Sequence, residues 1–150
     1  MARTVDTKEY LDIVCGLLAE GKTCVPVPVA GSSMTPFLHH GDTVYLQRPD
    51  GKLKKGDIVL YTRPSGQYIL HRIVKVNADG SFIMLGDAQT DRERIESAGQ
   101  IHGRVIRAVH RGKPLDSGSP RWIFFATVWI WVWPWRRKIV ELVTRLRKKV

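Results

Sequence analysis

The sequence has little cysteine, no long apolar run and few acidic residues near its C-terminus. Its two cysteines, Cys15 and Cys24, are too few for a disulfide framework or a thiolate zinc site, so free thiols are expected. No stretch reaches the roughly 20 apolar residues that cross a bilayer as a helix. Residues 1–10 are charged and lack an apolar run, which predicts neither a secretory signal peptide nor an N-terminal anchor.

Positive charge is concentrated at one end of the 150-residue chain. The sequence has 24 Lys and Arg against 14 Asp and Glu, which gives a net charge of +10. Residues 121–150 contain eight of these basic residues and one acidic residue, and all five tryptophans lie within 122–135. The high isoelectric point therefore describes a tail, and the remainder, long enough for one ordinary domain, is close to neutral.

Hydrophobic periodicity predicts one helix followed by a series of short strands. Residues 6–20 have apolar residues at helical spacing, with Asp6 and Glu9 as a capping box and Gly21 as the stop signal. The fold class is expected to be mainly β and antiparallel, with a C-terminal amphipathic helical tail. The predicted strands are 24–30, 43–47, 57–62, 67–76, 81–85 and 101–109. The predicted divisions are an N-terminal helix (1–21), a β domain (22–111), a linker (112–120) and a tail (121–150).

The tail has the composition of a membrane-surface anchor. Residues 122–135 are uncharged, and as a helix they would span about 21 Å, less than the ~30 Å hydrocarbon core. Apolar and basic residues then follow at helical spacing, which predicts that 121–149 lies in the plane of an anionic membrane surface, peripheral and at the cytoplasmic face. The alternative is a helix packed on the β domain. Nucleic-acid binding is disfavoured, because proteins that bind nucleic acids have Lys and Arg interleaved with their aromatic residues, whereas residues 122–135 are uncharged. The residues assigned to the membrane are Trp122, Trp129, Trp131, Trp133, Trp135, Arg136, Arg137 and Lys138.

Three short motifs contain the residue types that act together in serine hydrolases. Ser33 lies in Gly-Ser-Ser-Met-Thr-Pro at 31–36, and a serine becomes a nucleophile only when a nearby base takes its proton. His71 lies in an apolar strand and has the ordinary pKa of such a base, about 6.5. Asp87 and Asp91 follow in a loop, from which an acid would orient the histidine. Taken singly, each also has a structural explanation: a turn cap, a core histidine and turn aspartates.

The order and spacing of these motifs resemble the signal peptidase I family, within the LexA and signal peptidase superfamily. The matching strings are Gly31-Ser-Ser-Met-Thr-Pro36, Gly41-Asp42, Lys55-Gly-Asp-Ile-Val59, Leu70-His-Arg-Ile-Val74 and Gly86-Asp87. The likeness is to the archaeal and endoplasmic-reticulum branch, which has a histidine base where the bacterial branch and LexA-type repressors have a lysine. It covers residues 24–111 and implies an antiparallel β-barrel or ribbon fold.

The resemblance also implies a role for each polar residue of the motifs. Ser33 would be the nucleophile, His71 the general base, and Asp91, or else Asp87, the acid that orients the base. The family implies no metal and no cofactor. In several relatives a serine two positions before the nucleophile helps to form the oxyanion hole, but this chain has Gly31 there.

Substrate binding is expected around the same motif. Without the relatives' serine, the backbone N–H of Ser33 or the side chain of Ser32 must carry more of the oxyanion stabilisation, and the apolar Met34 lies next to it. The family binds its peptide as an added β-strand. The alternating valines of the first strand look exposed on an edge and are expected to pair with that peptide. These valines are Val25, Val27 and Val29.

The sequence therefore predicts a serine endopeptidase that cleaves a leader or signal sequence from a peptide or pre-protein substrate. One alternative is a cytoplasmic processing peptidase for a dedicated peptide substrate. Another is a peptide-binding module that keeps the fold without cleaving. The presence of both Ser33 and His71 favours catalysis over binding alone.

Overall fold

The computed structural model describes residues 7–49, 51–132 and 135–149, and it has the mainly β, antiparallel architecture that the sequence predicts. The helices are α1 (Thr7–Ala19), α2 (Pro120–Trp131) and α3 (Arg136–Lys148). The strands are β1 (Val25–Pro28), β2 (Thr43–Gln47), β3 (Ile58–Thr62), β4 (Tyr68–Val76), β5 (Phe82–Leu85), β6 (Glu93–Ile95), β7 (Ile101–His110) and β8 (Lys113–Asp116).

One antiparallel sheet contains all of these strands, in the order β1-β2-β7-β3-β4-β5-β6, with β8 paired to β7. The long strand β7 is its centre. β2 pairs with one edge of β7. On the other edge, β3 pairs with the first half of β7 and β8 pairs with the second half. Ile101, Gly103 and Val105 are buried in alternation, as expected for a strand that faces a core. A bulge at Ile106 then moves the buried position to Ala108.

Helix α1 lies on the sheet and packs against β7 and β1. Val14 and Leu18 are its buried residues, and both join the main core. The close approach depends on Gly103, because a Cβ atom there would stand 2.9 Å from Cδ1 of Leu18. The helix agrees with the predicted span, while Asp6, its predicted cap, lies outside the described residues.

Every predicted strand is present, with ends that differ by no more than two residues. Two further strands, β6 and β8, were not predicted. β8 lies inside 112–120, which was expected to be a linker. Its pairing with β7 runs from Arg107 opposite Asp116 to His110 opposite Lys113, so this segment extends the sheet.

Helix α2 packs on the β domain, which corrects the expectation that its tryptophans contact lipid. Ser119 caps the start of the helix, and its side chain accepts the N–H of Trp122. Trp122, Phe125 and Trp129 recur at helical spacing and are buried. The rings of Trp122 and Phe125 lie 5.3 and 5.1 Å from that of Phe37, measured between centroids. Burial against this aromatic cluster removes Trp122 and Trp129 from any lipid surface.

Arg136 is a second correction among the residues assigned to the membrane. It is only 1% exposed, and its guanidinium donates to the carbonyl oxygens of Gly86 and Trp129, each at 3.1 Å. Burial lowers the pKa of Arg136 to about 10. Trp133 lies outside the described residues. The exposed members of the predicted set are Trp131, Trp135, Arg137 and Lys138.

Helix α3 extends away from this packing. Apart from Arg136 and the half-buried Val140, its residues are exposed. Its apolar residues share one face because they recur three and four positions apart. They are Ile139, Leu142, Val143 and Leu146. Within the described parts of the chain, no helix combines the length and apolar character needed to cross a membrane.

Candidate active site

Ser33 lies in a tight turn between β1 and β2 that is fastened to two other parts of the protein. The carbonyl of Ser32 accepts the backbone N–H and the hydroxyl of Thr35, at 3.2 and 2.8 Å. The carbonyl of Ser33 accepts the N–H of Ala88 at 2.9 Å. Met34 is buried in the main core, and it also lines a cavity of about 560 Å³, which we call the Ser33 cavity. The backbone of Ser33 is therefore held between the core and the loop after β5.

Two backbone N–H groups of this turn could donate to an oxyanion, those of Gly31 and of Ser33 itself. Gly31 has a φ of +84°, a conformation in which a serine would be strained. Its N–H donates to Nδ1 of His40 at 3.1 Å, so that group is already used. Among the described residues, no backbone carbonyl accepts the N–H of Ser33. This N–H is thus a suitable donor to an oxyanion, and the other predicted donor, Ser32, is exposed.

His71 is buried on β4 and lines the same cavity as Ser33. Its Nδ1 lies 3.4 Å from the hydroxyl oxygen of Tyr61, on the neighbouring strand β3. The strand register pairs His71 with Val59 and Tyr61 with Ile69. Tyr61 is therefore the diagonal neighbour of His71 on one face of the sheet.

The hydroxyl proton of Tyr61 decides which nitrogen of His71 is basic. Tyr61 donates to Glu93 at 2.8 Å, and Arg63 holds the same carboxylate at 2.7 and 2.9 Å. Burial and the hydrogen bond to Glu93 raise the pKa of Tyr61 far above its ordinary value, so its proton stays toward Glu93. Its oxygen then accepts from His71, which places the ring hydrogen on Nδ1 and leaves Nε2 as the base.

The charge state of this group of residues suits general-base catalysis. Burial lowers the pKa of His71 to about 4, and the nearby negative charge of Glu93 offsets only part of that effect. The ring is therefore neutral at pH 7, as a general base must be. Hydrogen bonds from Arg63 lower the pKa of Glu93, so this carboxylate is ionised under the same conditions.

Asp87 is fully buried and is paired with Arg72. Nε and Nη2 of Arg72 donate to its carboxylate at 2.9 and 2.8 Å, and Nη1 donates to the carbonyl of Gly56 at 2.9 Å. Arg72 follows His71 on β4, so the two side chains leave opposite faces of the strand. In the part of the chain that is described, no hydrogen bond joins Asp87 to His71.

Asp91 has a different environment. It is exposed, and it lines a second cavity of about 550 Å³ that His71, Arg63 and Glu93 also border. The described residues include no hydrogen bond between Asp91 and His71. The choice of Asp91 as the orienting acid therefore stays a prediction. Nor do the described residues contain a cluster of three His, Cys, Asp or Glu that would hold a metal ion.

The valines of the first strand are not exposed as expected. Val25, Val27 and Val29 are 7–8% exposed and belong to the main core, because the helix α1 covers their face of the sheet. Val27 and Val29 also line the Ser33 cavity, as do Tyr10 and Leu11 of α1.

The free edge of β1 carries prolines where a peptide would seek donors. Val29 donates its N–H to Asp42, toward β2, so alternation along the strand turns the nitrogens of Pro26 and Pro28 to the open edge. Proline nitrogens donate no hydrogen bond. The carbonyl of Pro26 already accepts the hydroxyl of Tyr10 at 3.1 Å. Strand addition along these residues is therefore poorly supported.

Tyr61 and Glu93 are the site residues that sequence reasoning missed. Both strands of the β3–β4 hairpin were predicted, so their register would have placed Tyr61 diagonal to His71. Glu93 had no such signal, because its strand was not predicted and it lies between Arg92 and Arg94 in a charged segment.

Comparison with known proteins identifies the family of the chain but not a branch within it. No curated protein matches the chain. The model of the family described as Peptidase S24-like matches residues 2–106, which is more than half of the chain and includes Ser33, His71, Asp87 and Asp91. The narrower resemblance, to the signal peptidase I branch with its histidine base, stays a prediction. The chain therefore belongs to the Peptidase S24-like family, which gives it a function of the serine-peptidase type.

Proposed function

We propose that this protein is a serine endopeptidase that removes a leader or signal sequence, with Ser33 as nucleophile and His71 as general base. One observation carries the proposal: Ser33 and a neutral, buried histidine line the same apolar cavity. A serine and a base that converge on one cavity are the minimum that acyl transfer requires. Membership of a peptidase family supports the same reaction class.

The reaction proceeds through an acyl-enzyme. Oγ of Ser33 attacks the scissile carbonyl carbon while Nε2 of His71 takes its proton. The backbone N–H of Ser33 donates to the oxyanion that forms. The C–N bond then breaks as His71 passes the proton to the leaving amine. A water molecule, deprotonated by the same nitrogen, hydrolyses the ester and restores Ser33.

Glu93, acting through Tyr61, is the group that orients His71 in this proposal. The hydrogen bonds from Arg63 to Glu93, from Tyr61 to Glu93 and from His71 to Tyr61 form an unbroken series. Asp91 remains a candidate for the same task because it borders the second cavity together with His71. Asp87 is less suited to it, because its carboxylate pairs with Arg72, whose side chain leaves the face of β4 opposite to that of His71.

An apolar segment is the substrate that the cavity favours. Its lining is largely aliphatic and aromatic, including Val27, Val29 and Leu70, with Tyr10 and Leu11 from the helix α1. Leader and signal sequences have a central apolar region. Burial of its side chains in the Ser33 cavity would favour binding. A processing peptidase for one dedicated peptide would use the same chemistry and is the second candidate. A non-catalytic peptide-binding module is the third, and an inert Ser33 would favour it.

Peripheral membrane association is part of the proposal, and the helix α3 supports it. A 13-residue helix is marginal in water on its own, and α3 packs on the rest of the protein almost solely through Arg136. Its exposed apolar face and its five exposed basic residues fit an anionic membrane surface. Trp131 and Trp135, both exposed, are suited to the interface.

Covalent labelling tests the proposed nucleophile. A fluorophosphonate probe should label the wild-type protein once, at Ser33, and should fail to label Ser33→Ala. His71→Ala should lose labelling and cleavage as well, and the double variant should be no worse than either single one, because nucleophile and base act as a unit. Cleavage is measured with a fluorogenic peptide that carries an apolar leader sequence.

The exposed Ser117 provides the matched control, because Ser117→Ala removes a hydroxyl far along the chain from the turn of Ser33. That variant should be labelled like the wild type. Equal labelling of Ser33→Ala and the wild type would refute the serine mechanism. Peptide binding without labelling of the wild type would favour the binding module.

A further inference from the structure

A cavity larger than the Ser33 cavity lies away from Ser33 and His71. It has a volume of about 1120 Å³ and lies between the turn before β3, the β4–β5 hairpin and the end of α2. Of the residues that the structure describes, five basic ones and no carboxylate line it. Among the described residues, the four lysine ammonium groups make no ion pair. These basic residues are Lys52, Lys54, Lys55, Lys75 and Arg92.

The floor of this basic cleft is apolar. Val74, Leu85 and Ile130 form a small buried cluster separate from the two larger cores. The floor therefore joins the sheet to the helix α2. A free phosphate ion would use only the cationic rim, whereas a molecule with an anionic head and an apolar continuation would also cover this floor.

The rim of the cleft is continuous with an exposed apolar face of α2. Trp131, 80% exposed, stands at the rim. Ile123, Phe124 and Val128 lie along the same side of the helix and are 43–51% exposed. Gly56, in the turn beside the cleft, has no side chain, and a Cβ there would stand only 2.9 Å from the carbonyl oxygen of Ala126. The turn with its lysines is thus packed directly against α2.

We infer that the basic cleft binds the headgroup of an acidic phospholipid, with the start of an acyl chain over its apolar floor. The inference rests on the proposed membrane association, since a bilayer supplies the ligand. It adds a defined headgroup site, in the β domain, to the diffuse attraction of α3 for anionic lipid. Lys55, on the turn before β3, and Lys75, on β4, both line the cleft, so one phosphate group would be attracted to both ammonium groups.

A soluble lipid tests the cleft without a bilayer. Dihexanoyl phosphatidylglycerol, below its micellar concentration, should bind the full-length protein at one saturable site, measured by calorimetry. Dihexanoyl phosphatidylcholine and inorganic phosphate should bind much more weakly. Lys55→Gln with Lys75→Gln should weaken phosphatidylglycerol binding by about 10- to 30-fold, because each lysine near anionic lipid adds about a factor of five.

Lys22→Gln with Lys113→Gln is the matched control, because it removes the same charge from two exposed lysines outside the cleft. It should leave phosphatidylglycerol binding unchanged. Equal weakening by both pairs, equal affinity for inorganic phosphate, or no saturable binding would each overturn the inference. Full-length Leu142→Gln with Leu146→Gln separates this result from the proposed anchor: it should lose binding to vesicles while it keeps binding the soluble lipid.

Discussion

His71 shows how neighbours give one residue a chemical task. A histidine in an apolar strand is usually a buried structural residue. Its ring alone does not reveal which nitrogen carries the hydrogen. Tyr61 removes that ambiguity because its own proton is committed to Glu93. Arg63 keeps Glu93 ionised, so the arrangement is stable over a wide range of pH.

The first prediction at this scale is a pH profile. Activity requires the neutral ring, so kcat/KM should rise as pH increases through the pKa of His71. Since burial lowers that pKa to about 4, the rise should be centred near about pH 4 and activity should be flat from about pH 6 to 8. The ordinary pKa of histidine would have centred it near about 6.5. Glu93→Gln removes a charge that raises the pKa of His71, so its rise should lie at still lower pH.

Measured kcat/KM against pH decides the matter, with Asp91→Asn as the comparison. A rise centred between pH 6 and 7 would contradict the burial of His71, and one above about pH 8 would indicate a lysine base. If Asp91→Asn moved the profile and Glu93→Gln did not, Asp91 would be the acid that faces His71.

The second prediction concerns Tyr61. Tyr61→Phe removes the acceptor for Nδ1–H but keeps the ring, so the protein should fold while the histidine loses its fixed tautomer. We expect kcat to fall by up to about 10²-fold with little change in KM. Thermal melting and steady-state kinetics of Tyr61→Phe and Asp91→Asn make the comparison. Unchanged kcat in Tyr61→Phe would exclude it as a positioning residue.

At the scale of elements, the loop after β5 connects the site to the rest of the fold. The carbonyl of Gly86 accepts from Arg136, and the carbonyl of Asp87 accepts from the indole of Trp129 at 2.8 Å. One residue later, Ala88 donates to Ser33. The helical tail therefore supports the same loop that holds the backbone of Ser33.

The third prediction tests that structural role through Asp87. Asp87→Asn leaves the charge of Arg72 buried without its partner, which typically costs about 3–5 kcal/mol in the free energy of unfolding. Urea denaturation measures the loss, and activity per folded molecule should change much less. Asp116→Asn, at an exposed ion pair with Arg107, is the control and should change stability little. A large loss of kcat in Asp87→Asn with unchanged stability would instead make it a catalytic acid.

Local patterns in the sequence predicted most elements, but not the contacts that depend on distant packing. Alternation and turn residues suffice for strands such as β2, whose bounds agree with prediction. The pairing of β8 with β7 and of Trp122 with Phe37 depends on tertiary contacts that a local pattern does not contain. Trp-rich uncharged residues suit a core as well as a membrane interface, which is why α2 was assigned to lipid.

On the scale of the whole molecule, the tail has two parts with different partners. α2 completes the core, and α3 presents apolar and basic residues to the surroundings. The basic cleft and the exposed face of α2 adjoin each other. If a membrane binds α3 and one of its lipids occupies the cleft, the membrane would therefore contact the protein on the side of its C-terminal helices.

The last prediction separates the two parts of the tail. Ending the chain after Ser119 removes Trp122, Phe125 and Trp129 from the core, and losing even one such ring costs about 3–5 kcal/mol. That truncated protein should fail to fold, so it does not test membrane binding. Full-length Leu142→Gln with Leu146→Gln keeps the core and the charge. It should melt like the wild type and cleave a soluble peptide equally well, yet no longer sediment with phosphatidylglycerol vesicles. Thr144→Gln, on the polar face of α3, is the control and should still sediment. If the double variant remained on vesicles, α3 would not be the anchor, and if it lost stability, the apolar face of α3 would pack on protein rather than on lipid.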